Sequence, residues 1–492
     1  MSRSSPIIDG KGVASIARNL TYLLGGRGVF FVVRFFYAVI LARVFGPRVY
    51  GMINYGIAWY MLFLPLTKMG LEIVLGRDTG QSRQQGDRTA ATTLTLRIAS
   101  IVLVTVSYLV LSWFMEDDPA SRSMVLVFAF ALIGRSLATW TENVYAAYEV
   151  NQYSFRQQSI FRPLEVVLGS LAVMIWREAM VVVAIHGCVW CCEAAYGMWT
   201  IHRRVMRVRL EKNLAELRRT FLQGLPVGAT LLLMTLPNQG PLIFFRHAVP
   251  AGNALGQLAL AMQVLFMFSQ VLFALGSVSM PVLSRAAARQ DGKDRLFAET
   301  ALRYSLLFGT VLALLGTALG PWLTVWIFGV RYAQAGTLVG PVLWLLIPWS
   351  ARLALERTLM ARRLDLQTLL CASIGTAFFA LTISEAIARY AALGAIWCSG
   401  MATLLTTLML IYYVRGHLAM DLRVSLVRPG LAALSAAGVF YTLHAAGPVW
   451  SLLGAAAALA IGCRLFKCVM PQDREWFGQS FRWVAKKISA EK

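Results

Sequence analysis

The chain has 492 residues, of which 58% are hydrophobic and only 14% charged, and its mean hydropathy is +0.62. A water-soluble domain carries about a quarter charged residues to cover its surface, so this composition excludes a soluble protein. The formal net charge of +22 does not point to nucleic acid, because the basic residues sit in short clusters between apolar stretches, where cations set membrane topology and meet anionic lipid head groups.

The N-terminus lacks a short apolar region followed by a small-residue cleavage site. It leads through Arg3, Lys11 and Arg18 into a full-length apolar segment, and so reads as an uncleaved first span. Stretches near 20 residues are long enough to cross a bilayer core. They are expected at 19–43, 50–75, 90–114, 123–148, 157–176, 179–201, 220–246, 255–283, 297–319, 336–361, 367–388, 391–414, 428–447 and 449–468, about 14 transmembrane helices. The fold class is therefore an all-α polytopic membrane protein.

Alternate loops carry the cations: Arg77, Arg83 and Arg88; Arg203 through Arg219; Arg285, Arg289, Lys293 and Arg295; Arg362 and Arg363; Arg415 and Arg423. The intervening loops hold only scattered ones such as Arg48, Arg122 and Arg177. The positive-inside rule makes the rich set cytoplasmic and places both termini inside. The seven cysteines lie in or beside apolar segments, without zinc-like spacing, and read as small polarizable fillers.

The longest cytoplasmic link divides the chain. Residues 1–205 are expected to form a six-helix lobe, 206–219 a linker, 220–415 a second six-helix lobe, 428–470 two further spans and 471–492 a basic cytoplasmic tail. A faint internal repeat supports the division: Phe45-Gly46-Pro47 and Tyr50-Gly51 stand opposite Ala248-Val249-Pro250 and Leu255-Gly256. Helix breakers recur in the first span of each half. Gly25, Gly26 and Gly28 stand in one; Pro226, Gly228, Pro237, Gly240 and Pro241 stand in the other. Interrupted segments in matching positions of two repeats point to the moving, site-lining helices of a transporter.

Ionisable residues inside the spans are the strongest chemical signal, since a charge at the bilayer centre costs about 2.5–3.5 kcal/mol on insertion scales. Arg162 with Glu165, Glu299 with Arg303, and Arg352 with Glu356 can neutralise one another along one helix. Arg162, Glu299 and Arg97 lie toward span ends and are expected to snorkel to the interface. Arg27, Arg34 and Arg135 have no acid three or four residues away and are expected to make the first lobe's interior cationic, with Arg303 and Arg352 adding charge in the second. Arginine's planar fork suits bidentate contacts to a phosphate. Glu142 is expected to pair with such an arginine or, like Glu356, to take part in coupling to H+ or Na+. No Walker lysine loop, HExxH or Gly-x-Ser-x-Gly elbow is present, no metal or cofactor is implied, and an enzyme reading is disfavoured.

The stretch Ile40-Leu41-Ala42-Arg43-Val44-Phe45-Gly46-Pro47-Arg48-Val49-Tyr50-Gly51, followed by Gly70-Leu71, resembles the Wzx-type polysaccharide and O-antigen flippase family. Met280-Pro281-Val282-Leu283-Ser284-Arg285 and Ile327-Phe328-Gly329-Val330-Arg331-Tyr332-Ala333 carry the same resemblance in the same order. It implies the multidrug/oligosaccharidyl-lipid/polysaccharide flippase fold: two pseudo-symmetric six-helix lobes around a central cavity, plus two C-terminal helices. It also implies a polyprenyl-pyrophosphate-linked oligosaccharide as cargo, moved across a bacterial inner membrane, with polysaccharide polymerase and export machinery as partners. A multidrug antiporter of the same superfamily and an integral-membrane glycosyltransferase are the competing readings. Arg34→Ala is expected to abolish transport while the protein remains inserted; surface polysaccharide measured alongside membrane-fraction abundance checks this, and unaltered export would remove Arg34 from the site.

Overall fold

The structure is a computed structural model and describes residues 10–249, 252–289 and 292–470. The helices are α1 (Gly10–Lys68), α2 (Leu71–Gln81), α3 (Arg83–Met115), α4 (Pro119–Ala147), α5 (Asn151–Ile175), α6 (Ala179–Arg204) and α7 (Leu214–Ala248). They continue as α8 (Asn253–Arg289), α9 (Lys293–Phe328), α10 (Ala333–Trp344), α11 (Leu346–Ala361), α12 (Asp365–Leu418), α13 (Arg428–Thr442) and α14 (Pro448–Leu465). Among the described residues no strand occurs, and 10 segments are long and apolar enough to cross a membrane.

Two helices are too long for one crossing, which needs roughly 20 residues. The 59 residues of α1 break at Gly46, with φ 73° and ψ 177°, just before Pro47. Glycine tolerates that left-handed φ, and the proline ring disfavours helical geometry in the residue before it. The 54 residues of α12 break at Ala391, where φ is 49° and ψ −126°. Another interruption falls between α1 and α2, where Met69 and Gly70 both have positive φ.

Helices α1 and α3 to α6 pack on one another, as do α7 to α12, while α13 and α14 pair and rest on α9. The two groups meet through α1 against α7 and α8, and through α2 and α3 against α7. One apolar core runs through both groups, from Tyr37, Tyr60 and Phe128 to Leu258, Val342 and Phe379. Outward, large apolar side chains such as Leu103, Phe114, Trp322, Leu381 and Trp397 stand exposed. In water such coverage would drive association; in hydrocarbon it is the solvated surface.

Helix α7 stays helical through Pro226, Pro237 and Pro241. Each proline lacks the N–H that would bond the carbonyl four residues back. Two of those carbonyls are recovered from α12: Thr376 Oγ1 donates to the Leu233 carbonyl at 2.7 Å, and Ser399 Oγ donates to the Pro237 carbonyl at 2.7 Å. Hydroxyls of a neighbouring helix are how proline is accommodated in a membrane helix. The glycines of the same helix are packing positions: Gly228 lies against the Met69 backbone and Gly240 against the Phe379 ring.

The groups touch at two places along the second half of α1 and its extension. At the Gly46 end, a Cβ on Gly51 would stand 2.6 Å from the Gly256 nitrogen. Here Arg43 also donates to the Trp326 and Ile327 carbonyls, each at 2.7 Å. Arg246 reaches Glu116 at 3.3 Å, and Tyr55 Oη donates to the same carboxylate at 2.5 Å. About 28 Å away at 1.5 Å per residue, Gly70 lies against α7: a Cβ there would meet the Gly224 oxygen at 2.5 Å and the Gly228 nitrogen at 2.7 Å. Gly70→Ala would add roughly 1–2 kcal/mol of left-handed strain and force the backbones apart. It is expected to lower the melting temperature in detergent by several degrees, whereas Gly76→Ala, at a helical position where a Cβ meets nothing within 4 Å, leaves it unchanged or slightly raised, alanine being the better helix former. Equal melting temperatures for the two variants would show that this contact is not tight.

Candidate functional site: a buried charge network in the first helix group

Three α6 side chains, His186, Trp190 and Glu193, recur at one-turn and two-turn spacing and so share a helix face. That face meets Arg162 and Glu165 on α5, Arg34 and Tyr60 on α1, and Arg135 on α4. The sequence-based expectation began α5 near residue 157; the helix begins at Asn151. Arg162 is thereby carried well into the helix, and it is buried among its neighbours rather than snorkelling to an interface. Arg97 departs from the same expectation: it lies on the buried face of α3 with Ser100 and Val104, and is 1% exposed.

Glu165 is the hub. Its Oε1 accepts from Arg34 Nη1 at 3.0 Å and lies 2.6 Å from His186 Nδ1, while Oε2 accepts from Arg162 Nη1 at 2.7 Å. Arg162 also pairs with Glu193, which accepts from Gln157 Nε2 at 3.3 Å. Arg135 Nη1 donates to Tyr60 Oη at 2.8 Å, and that hydroxyl lies 3.2 Å from His186 Nε2. The tautomer that satisfies both contacts is neutral, with Nδ1–H donating to Glu165 and Nε2 accepting from Tyr60. Two guanidiniums cover the Trp190 ring: Arg162 at 3.8 Å and Arg135 at 4.8 Å from its centroid. With a neutral histidine, three arginines face two glutamates, leaving one net positive charge in an interior where an unpaired charge is costly.

A narrow crevice lies against this network, lined by Val33, Arg34, Tyr37, Arg162, Glu165 and Val166. The Tyr37 side chain is 3% exposed, and its hydroxyl has no hydrogen-bond partner among the described residues. The Arg34 side chain is 20% exposed, against 3% for Glu165 and 4% for Arg162.

The arginines singled out in sequence do not gather in one place. Arg34 and Arg135 enter this network. The Arg27 side chain, the surroundings of Gly26 and the tail 471–492 fall outside the described residues. Gly25 packs near the Phe155 ring, at 3.2 Å from a Cβ built on it, while Gly28 meets nothing within 4 Å. Arg303 lies on α9, buried, donating to Thr300 Oγ1 at 3.2 Å and near the Tyr304 ring. Arg352 pairs with Glu356 at 3.4 Å along α11, both buried. No described hydrogen bond or ion pair links Arg303 or Arg352 to the Glu165 network. Glu142 accepts from Gln158 Nε2 at 2.9 Å, and Glu299 pairs with Arg295 at 2.9 Å. Sequence reasoning passed over His186, Glu193, Tyr60 and Trp190 as site residues. The recurrence of His186, Trp190 and Glu193 on one face of an apolar helix was the available signal.

Outside the helices, Asp118 caps α4. The hydroxyl and N–H of Ser121 hold its carboxyl below the ordinary aspartate range, with Arg246 3.8 Å away.

Comparison with solved structures places this architecture among membrane transporters. The lipid II flippase MurJ in an inward closed conformation superposes with a TM-score of 0.65 at 13% identity, over 90% of this chain and 98% of that one. A transporter of the MOP superfamily from Pyrococcus furiosus gives 0.60 at 13% identity, over 82% of this chain and 95% of that one. An inward-facing multidrug resistance MATE family transporter of the same superfamily gives 0.56 at 13% identity, over 81% and 94%. At such identities the likeness establishes the fold alone: an all-helical, multi-pass membrane protein of the MOP transporter architecture. No curated protein matches the sequence. A family profile described as polysaccharide biosynthesis protein matches residues 16–287, more than half of the chain, and this protein belongs to that family.

Proposed function

We propose that this protein is a flippase that carries a polyprenyl-pyrophosphate-linked oligosaccharide from the cytoplasmic to the periplasmic leaflet of a bacterial inner membrane, by alternating access and without chemistry on the cargo. The observation that carries the reading is the net cationic network around Glu165, set inside the membrane-spanning helices of a polysaccharide biosynthesis family member. Buried arginines are retained against their desolvation cost where an anion must be handled, and guanidinium geometry matches phosphate oxygens.

In this reading the two helix groups are the lobes 1–205 and 220–415, joined by 206–219, with about 14 spans in all and both termini cytoplasmic. The arginine-poor Gly46 end then faces the periplasm, and the contacts of Arg43, Glu116 and Arg246 hold that side shut. The repeat-related glycines Gly51 and Gly256 touch there, as equivalent residues of a pseudo-two-fold pair do near their axis. Arg34 and Arg135 would meet the pyrophosphate, while the polyprenyl chain stays in the bilayer. Glu142 and Glu356 remain candidates for H+ or Na+ coupling, and a polymerase would receive the flipped unit. A cation-coupled multidrug antiporter is the alternative, favoured by the buried glutamates beside Tyr60 and Trp190. Each of those glutamates, however, is covered by an arginine.

The test is the leaflet distribution of polyprenyl-pyrophosphate oligosaccharides in cells depleted of the protein. Accumulation on the cytoplasmic face, relieved by re-expression, is expected. Normal externalisation would overturn the reading and make efflux of cationic dyes the next measurement.

A further inference from the structure

We propose that Glu165 is an internal counter-ion occupying the place of the cargo's phosphate on Arg34, so that carboxylate and cargo compete for one guanidinium. The proposal rests on the flippase reading and assigns the residue that sets how tightly the cargo's head group is held.

Three observations lead to it. Glu165 has a surplus of donors: Arg34, Arg162 and His186 converge on its two oxygens at 2.6–3.0 Å. Loss of Arg34 therefore leaves the carboxylate with two donors, and it is not stranded as an unpaired buried charge. Arg34 is placed differently from its partners. It is the more exposed partner of the Glu165 pair and lines the crevice, so its guanidinium can turn toward an arriving anion while Arg162 stays locked between Glu165 and Glu193. Finally, Tyr37 lines the same crevice, and its hydroxyl is a buried donor with no acceptor among the described residues. An unsatisfied buried donor is expensive, and a phosphate oxygen would satisfy it.

The competition has a transport consequence. A site made only of arginines would hold a pyrophosphate too firmly to release it. A carboxylate that returns to Arg34 as the head group leaves lowers the cost of departure, because the guanidinium is never left without an anion. Binding is thereby weakened in exchange for turnover.

The experiment is a titration of purified protein, in zwitterionic phosphatidylcholine nanodiscs, with farnesyl diphosphate and separately with inorganic pyrophosphate. Wild type is compared with Glu165→Gln, which keeps the size and one acceptor but removes the charge. Glu165→Gln is expected to bind both probes about tenfold more tightly, the factor that 1.4 kcal/mol corresponds to, while its export rate in cells falls. A merely structural role predicts the opposite sign: weaker binding together with a lower melting temperature. Wild type that binds and Glu165→Gln that binds equally or more weakly would overturn the counter-ion proposal alone. Failure of both proteins to bind either probe would overturn the flippase reading with it. Should Glu165→Gln fail to fold, Glu165→Asp, which draws the carboxylate back from Arg34 by one methylene, must likewise bind more tightly than wild type or the proposal is lost. Nanodiscs containing phosphatidylglycerol identify a lipid source: competition there would show that a membrane phosphate reaches the same guanidinium, as the proposal requires of any accessible phosphate.

Discussion

The structure of the first helix group depends on one constraint: a carboxylate and its cations can share a membrane interior only as a closed set. Glu165 joins α5 to α1 through Arg34 and to α6 through His186, while Arg162 extends the set to Glu193. Tyr60 then ties His186 to Arg135 on α4. Four helices are thus held by polar contacts whose alternative, in hydrocarbon, is an unsatisfied ion. Apolar packing gives no comparable selectivity there, because lipid tails solvate leucine as well as another helix does.

The contact between the two groups is built on a different principle. It uses glycine and backbone rather than long side chains: Gly51 with Gly256 at one end, and Gly70 with Gly224 and Gly228 at the other. Small residues let helices approach closely and part without stranding buried side chains. Among the charges at the Gly46 end, Asp118 and Arg43 are exposed, while Glu116 and Arg246 are largely covered. A rigid polar interior in one group and a glycine-lined seam between groups are the mechanical parts that rocking of one half against the other needs.

Some of the site was legible beforehand and some was not, for identifiable reasons. Arg34 and Arg135 stood out because no acid lies one turn away on their own helices. Their partners, Glu165 for Arg34 and Tyr60 for Arg135, come from other helices, and separations of 131 and 75 residues leave no local trace. Arg162 and Arg97 were misplaced because depth in the membrane was judged from the apolar run. Polar residues such as Asn151, Gln157 and Gln158 hid the first turns of α5, yet they are buried inside the bundle. The prolines of α7 were legible as helix breakers, but hydroxyls from α12 keep that helix unbroken. The break at Ala391 had no glycine or proline at that residue to announce it.

Composition and the spacing of apolar runs determined that the chain crosses a membrane repeatedly as helices, because every backbone polar group in hydrocarbon must be satisfied within its own segment. Glycine and proline at Gly46-Pro47 determined where one long helix divides, since backbone geometry there is a local property. Pairs one turn apart, such as Arg162 with Glu165 and Arg352 with Glu356, were legible in the sequence, but which charges meet across helices was decided only by tertiary structure. Ion pairing falls off over a few ångströms, and those distances depend on the rotation and depth of whole helices. Arg34 and Arg303 both interrupt apolar runs, the second with Glu299 one turn before it, and neither run says what its arginine meets. The packing of α5 and α6 against α1 makes the first a member of a shared carboxylate network beside a crevice, while α9 buries the second within the other group of helices.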